Sequence, residues 1–155
     1  MAKEIERKFR IRDESWQAEA EPPKAFRQFY LAVGPERSIR VRIVGDSAAW
    51  LTAKFGRTPV RDEFEYPIPL ADACEMENFA VGAVILKQRH IVSHGGYHYE
   101  VDVFSGALQG LVLAELETPD TVPDDRLPRW LGAEITGDSR YSNAMLALNG
   151  RPDAT

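Results

Sequence analysis

Alternation of polar and apolar positions with period two runs through most of the chain, and side chains on a strand point to opposite faces with that period. In Met1–Arg12 one face carries Glu4, Glu6, Lys8, Arg10 and Arg12, the other Ile5, Arg7, Phe9 and Ile11. Ala25–Val33 reads as a second strand, ended by Gly34-Pro35. Glu36–Val44 sets Ser38, Arg40 and Arg42 against Ile39, Val41 and Ile43, and Ala48–Phe55 sets Trp50, Thr52 and Lys54 against Leu51, Ala53 and Phe55. Val60–Ile68 puts Arg61, Glu63 and Glu65 opposite Asp62, Phe64 and Tyr66. Further on, Ala83–Ser93 groups Lys87 with Arg89, Tyr97–Phe104 groups His98, Glu100 and Asp102, and Leu111–Glu117 groups Glu115 with Glu117. Short turns such as Gly45-Asp46 and Gly95-Gly96 join these runs, so the pattern predicts an antiparallel meander of eight strands.

Three segments depart from it. Leu70–Val81 has near-helical spacing, Pro123–Leu131 reads as a short amphipathic helical piece ending at Gly132, and Asp138–Asn149 as a helix with Asp138 or Ser139 as N-cap and Gly150 as stop. Asp13–Lys24, broken by Pro22-Pro23, is a connection with room for one helical turn. No repeat or boundary divides the chain, so residues 1–150 are expected to form one domain and 151–155 a disordered tail. Eight antiparallel strands avoid exposed edges by closing. The expected fold is therefore α+β: a closed eight-stranded antiparallel β-barrel with helices packed outside.

The charges decide which face looks inward. A surface that only needs to be soluble mixes its signs, but here signs segregate by strand. Glu4 with Glu6, Glu63 with Glu65, Glu100 with Asp102 and Glu115 with Glu117 are acidic pairs; Arg40 with Arg42 and Lys87 with Arg89 are basic pairs, joined by Lys54. A solvated exterior is the bland alternative. Charges turned inward have a coherent chemistry: basic strands grip a polyanion through forked Arg donors, and acidic strands hold Mg2+ or Mn2+ bridging to the same phosphates. The bulky opposite faces then suit contact with helices. A charged tunnel is the favoured reading.

Composition narrows the setting. The 155 residues carry 28% charged and 44% hydrophobic side chains, an ordinary globular balance, and a formal net charge of -5 that argues against bulk nucleic-acid binding. Cys74 is the only cysteine, which excludes an intrachain disulfide and a cysteine zinc cluster; in a helix it reads as a small packing residue. With no apolar run of spanning length and no signal segment, a cytoplasmic protein without membrane contact is expected. His90, His94 and His98 lack firm ligand spacing, and Ser142 and Asn143 read as supports of the last helix.

The ordered motifs resemble the CYTH superfamily, the triphosphate tunnel metalloenzymes, and in particular its short bacterial members. E-I-E-R-K at Glu4–Lys8 is similar to the ExExK signature. Q-F-Y-L at Gln28–Leu31, S-I-R-V-R at Ser38–Arg42, L-T-A-K at Leu51–Lys54 and R-D-E-F-E at Arg61–Glu65 follow in family order. So do L-K-Q-R at Leu86–Arg89, Y-E-V-D-V-F-S-G at Tyr99–Gly106, L-V-L-A-E-L-E at Leu111–Glu117 and G-D-S-R-Y-S-N-A at Gly137–Ala144.

The resemblance implies an eight-stranded tunnel in which Glu4, Glu6, Glu115 and Glu117 carry Mg2+ or Mn2+, while Lys8, Arg40, Arg42, Lys54, Lys87 and Arg89 bind phosphates. Tyr30 matches a tyrosine that pairs with the signature lysine, so Lys8, Tyr30, Glu4 and Glu6 are the candidate catalytic groups. Glu63, Glu65, Glu100 and Asp102 match further tunnel acids. Phe55–Val60 departs from the family pattern and leaves the role of Arg57 open. The implied activity is metal-dependent hydrolysis of a triphosphate, with inorganic triphosphate the leading small-molecule substrate. An adenylate cyclase of class IV type, a thiamine triphosphatase and, from another class, a non-catalytic polyphosphate-binding module are the alternatives; a homodimer is left open.

Overall fold

The computed structural model describes residues 5–57 and 60–152. Nine strands appear there: β1 (Ile5–Ile11), β2 (Lys24–Gly34), β3 (Arg37–Val44), β4 (Ala48–Arg57), β5 (Val60–Ile68), β6 (Val81–His94), β7 (Tyr97–Ser105), β8 (Val112–Thr118) and β9 (Leu131–Glu134). Two short helices join them, α1 (Leu70–Met76) and α2 (Asn143–Asn149). All pairings are antiparallel, in the order β5-β4-β3-β2-β6-β7-β8-β1-β9. The eight expected strands are present, with ends within a residue or two except at the start of the first, whose residues 1–4 lie outside the described residues. At the β6–β7 hairpin Gly95 and Gly96 both have positive φ, as a two-residue turn matched to strand twist requires.

Closure is where the expectation fails. The sheet has nine strands instead of eight, and among the described residues β5 and β9 are unjoined edges. The ninth strand starts at Leu131, the end of the stretch read as helical, and runs on to Glu134. Pro128 has no amide to donate and disfavours α geometry at the preceding residue; Leu127 is accordingly extended (φ -70, ψ 147), and only a 3-10 turn at Asp124–Arg126 forms. The chain then pairs with β1 at Phe9 and Ile11, using part of the edge that a barrel would need. Gly132 does not stop a helix. It lets β9 approach β1, since a Cβ there would lie 3.2 Å from the Arg10 carbonyl oxygen.

The helices are also shorter than read. α1 gives way at Met76 to a 3-10 turn, Glu77–Phe79. The tail helix splits: Asp138 caps a 3-10 turn at Ser139–Tyr141, Ser142 returns to extended geometry, and its hydroxyl caps α2 by accepting from the Met145 amide. Gly150 (φ 75) ends α2 as anticipated. Arg151, expected in a free tail, donates to the Gln109 carbonyl at 3.2 Å.

Apolar residues form three clusters. Phe9, Trp16, Val92, Tyr99, Val101, Ala114, Leu116 and Trp130 pack on the outer face of β1, β6, β7 and β8. Phe29, Val41, Ile43 and Ala49 pack under Ala73 of α1. The third cluster lies on the charged face. Tyr30, Ile85, Phe104, Leu111 and Leu113 follow the parity of Arg40, Lys87, Asp102 and Glu115, and they receive Tyr141, Leu146 and Ala147. So α2 is not packed outside, as expected. It covers one end of the charged face, because the inward positions of the strands turn apolar there. Gly82 admits it: a Cβ at that position (φ 76) would sit 2.5 Å from the Ala147 carbonyl oxygen.

Candidate active site

Strand register assembles a basic half from β2, β3 and β6. Tyr30 stands opposite Arg40, Gln28 opposite Arg42, and Phe26 opposite Lys87. Arg89 and Lys87 reach across to Asp102 on β7. Lys87 Nζ donates to Asp102 Oδ2 at 2.7 Å, and the Arg89 fork meets both Asp102 oxygens at 2.8 and 2.9 Å. Arg89 also donates to Glu100 at 3.1 Å. Burial alone would raise the Asp102 pKa, but Lys87 and Arg89 outweigh it and hold the carboxyl well below its ordinary range. Lys87, only 2% exposed, is pulled down to about 7 by burial, with Asp102 opposing and Arg89 and Arg42 adding to the fall. Arg42 is lowered to about 9 by burial and by repulsion from Arg40 and Arg89.

Gathering so many cations needs compensation, and the Phe26 ring provides some of it. Arg42, Arg89 and Lys87 lie 4.5, 4.9 and 5.9 Å from its centroid, and the negative face of an aromatic ring attracts cations. Gln28 accepts from Arg42 Nε at 2.8 Å. Arg40 donates to Thr52 at 3.1 Å, and Thr52 passes the bond on to Glu65 at 3.0 Å. Arg40 Nε is buried and has no hydrogen-bond partner, a donor left for an anion. Lys54 is lowered by burial and by Arg40, with Glu63, its neighbour across the β4–β5 pair, opposing.

The acidic half comes from β1, β7 and β8. Glu6 pairs in register with Glu117, and Glu115 lies between Lys8 and Glu100. The Glu6 pKa is raised, first by burial and then by Glu115, through both repulsion and a hydrogen bond between the two side chains; Lys8 and Lys54 oppose. Glu100 is raised by burial, against Arg89. That Glu6 on β1 and Lys54 on β4 influence each other shows the sheet curling its charged face around, since these strands lie near opposite ends of the order.

The structure thus brings Lys87, Arg89, Glu100 and Asp102 into direct contact, places Arg40 and Arg42 beside them, and sets Glu6 against Glu115. Glu117 is exposed next to this pair, and Glu63 and Glu65 lie on the exposed edge strand. Glu4 falls outside the described residues. Lys8 Nζ donates to the Tyr141 carbonyl at 3.3 Å, and Tyr30 stands opposite Arg40 in the β2–β3 pair. Arg57 has the parity of Phe55, pointing away from the charged face, and pairs with Glu36 at 2.5 Å. His90 packs edge-on against Trp16, and His98 shares a hydrogen bond with Ser93.

Four contributors escaped sequence reasoning. Phe26 interrupts the polar side of β2, but its parity with Gln28 and Tyr30 was a usable signal. Gln28 and Thr52 sat inside recognised motifs without a role. Asn143 looked like a helix support, yet its Oδ1 accepts from Lys87 Nζ at 3.0 Å.

A curled antiparallel sheet with a cationic cluster facing paired carboxylates is the architecture of a phosphate-handling protein, and residues 2–145 match the CYTH domain. The chain belongs to the CYTH domain family. It is 39% identical to an inorganic triphosphatase of Acetivibrio thermocellus over 151 residues, covering 96% of each chain. It is 32% identical to an inorganic triphosphatase of Nitrosomonas europaea, covering 94% of this chain and 97% of that protein. A crystal structure of an inorganic triphosphatase superposes with a TM-score of 0.70 at 30% identity, covering 96% of both chains.

Proposed function

We propose that this protein hydrolyses inorganic triphosphate to diphosphate and phosphate with the help of a divalent metal. The observation that carries the reading is one sheet face on which a cationic cluster, Arg40, Arg42, Lys87 and Arg89, lies across from the adjacent carboxyls of Glu6 and Glu115. The relatives named inorganic triphosphatase support the same substrate.

The acidic half fits a hard cation by its chemistry. Its donors are carboxylate oxygens, and Glu6 and Glu115 repel each other where a cation between them would relieve the charge. Among the described residues no group of three or more ligating side chains stands ready-made for a metal. Glu6, Glu115 and Glu117 would hold Mg2+ or Mn2+ together with Glu4. The ion supplies neutralisation of phosphoryl charge when bound.

The protein's own groups do the rest. Arg40, Arg42, Lys54, Lys87 and Arg89 bind and orient the phosphoryl oxygens, and Phe26 and Asp102 keep that cluster together in advance. A carboxylate, Glu6 or Glu117, orients a water in line with the terminal phosphorus and takes its proton. A bond forms from the water oxygen to phosphorus as the bridging P–O bond breaks, and its electron pair leaves on diphosphate. Lys8 stabilises that leaving oxygen. Catalysis is mainly positioning and charge stabilisation.

Incubating the protein with inorganic triphosphate, ATP and thiamine triphosphate in turn, with Mg2+ or Mn2+, and separating products by anion-exchange chromatography tests the substrate. Inorganic triphosphate should turn over fastest. Cyclic AMP as the main product from ATP would replace the hydrolase reading with a cyclase.

A further inference from the structure

The first residue of α2 touches the basic half. Asn143 Oδ1 accepts two hydrogen bonds, from Lys87 Nζ at 3.0 Å and from Gln28 Nε2 at 2.9 Å. Gln28 is fully buried, and with its nitrogen committed to Asn143 its oxygen accepts from Arg42 Nε at 2.8 Å. The order of donors and acceptors fixes both amides. One side-chain oxygen on α2 therefore restrains a cation on β6 and, through Gln28 on β2, a cation on β3. Lys87 spends one proton on Asp102 and one on Asn143. Arg42 spends Nε on Gln28, so the remaining donors of both side chains are aimed by these bonds.

We infer that Asn143 is a positioning residue for phosphate binding, orienting Lys87 directly and Arg42 through Gln28. The inference rests on the triphosphatase reading. A helix cap needs no such residue: α2 is already capped by Ser142, whose hydroxyl accepts from Met145 N at 3.1 Å. Asn143 instead turns its oxygen to the cations. It also provides Lys87 with an uncharged acceptor where the other charged neighbours are Asp102, Arg89, Arg42 and Glu100, with the Phe26 and Phe104 rings alongside.

Two substitutions of opposite electrical sense test it. Asn143→Ala removes an acceptor from the Lys87 ammonium, so the pKa of Lys87 falls and the alkaline limb of kcat/KM for inorganic triphosphate moves to lower pH. Asn143→Asp keeps an oxygen for Lys87 and Gln28 but adds a negative charge, so the limb moves to higher pH, by about one unit. Asn143→Ala should also lower kcat/KM about tenfold or more, the worth of a hydrogen bond to a charged group. Ser142→Ala loosens α2 without touching Lys87; it should lower the melting temperature and leave the limb in place. The Lys87 ammonium resonance in protein labelled with 15N-lysine should titrate with the same opposite shifts, independent of turnover. Unmoved titration in both Asn143 variants, or the same displacement in Ser142→Ala, would overturn the inference. A wild type that leaves triphosphate intact while the resonances shift as stated would instead overturn the triphosphatase reading alone.

Discussion

The two halves of the charged face are built differently. In the basic half nearly every cation has an assigned partner within the protein: Lys87 and Arg89 on Asp102, Arg42 on Gln28, Arg40 on Thr52, three of them around one Phe26 ring. In the acidic half Glu6 and Glu115 lie against each other, and their repulsion adds to burial in raising the Glu6 pKa. Lys8 and Lys54 act on Glu6 too weakly to keep its pKa at the ordinary value. A buried charge with a good partner is costly to disturb, whereas one of two repelling charges is cheap to remove. The basic half is therefore held in place by its own partners and contributes to the fold. The acidic half keeps its carboxyls in mutual repulsion, and it is there that the proposed metal would bind.

Substitutions on the two sides should separate accordingly. The largest expected effect is on activity: Glu115→Gln should lower metal-dependent turnover by at least about a hundredfold, a loss of the size seen when a charge-stabilising group is removed. Its fold should survive, and at pH 8 the melting temperature should rise by about 2–4 °C, as about 1 kcal/mol gives in a domain of this length. Because the Glu6 pKa is raised in the folded state, its stabilisation is complete at low pH and lost as pH rises. The gain from Glu115→Gln should accordingly fade toward pH 4. Calorimetric melts across that range check both points, and a loss of stability at pH 8 would mean that the two carboxyls do not repel.

Asp102→Ala is the counterpart in the basic half. It leaves Lys87 and Arg89 buried without their shared carboxylate, a change that costs about 3–5 kcal/mol. Urea unfolding at pH 7 should show that loss. Since the Asp102 pKa is depressed on folding, its contribution stands above the unfolded value of about 3.9 and is lost as pH falls through the depressed one. The gap between wild type and variant should shrink at the acid end. The smallest effect belongs to Phe26→Leu, which keeps the apolar bulk and removes the ring face: about 1 kcal/mol in stability, with a weakened grip on triphosphate measured by titration calorimetry. Unchanged affinity would make the ring a packing residue only.

Much of this arrangement was legible in the chain. Strict alternation located eight strands and put Arg40, Arg42, Lys87, Arg89, Glu100 and Asp102 on one face, because parity is a local property. Closure is not local. It depends on which edge of β1 is free, and β9 takes part of that edge just after a segment whose apolar spacing suggested a helix until Pro128 is considered. The seating of α2 was hidden for a similar reason: Ile85, Phe104 and Leu113 look like breaks in a polar pattern until Leu146 and Tyr141 are brought to them. Asn143 opens a helix, where a short polar residue reads as a cap, and only the distance to Lys87 reveals its second use.

The central claim, that one half of this face takes a metal and the other a triphosphate, meets its most direct test in 31P NMR of inorganic triphosphate incubated with the protein. With Mg2+ or Mn2+ present, the triphosphate signals should give way to equal amounts of diphosphate and phosphate, and excess EDTA should stop the conversion. Hydrolysis that proceeds at the same rate in EDTA, or triphosphate that stays whole with either metal, would contradict the account.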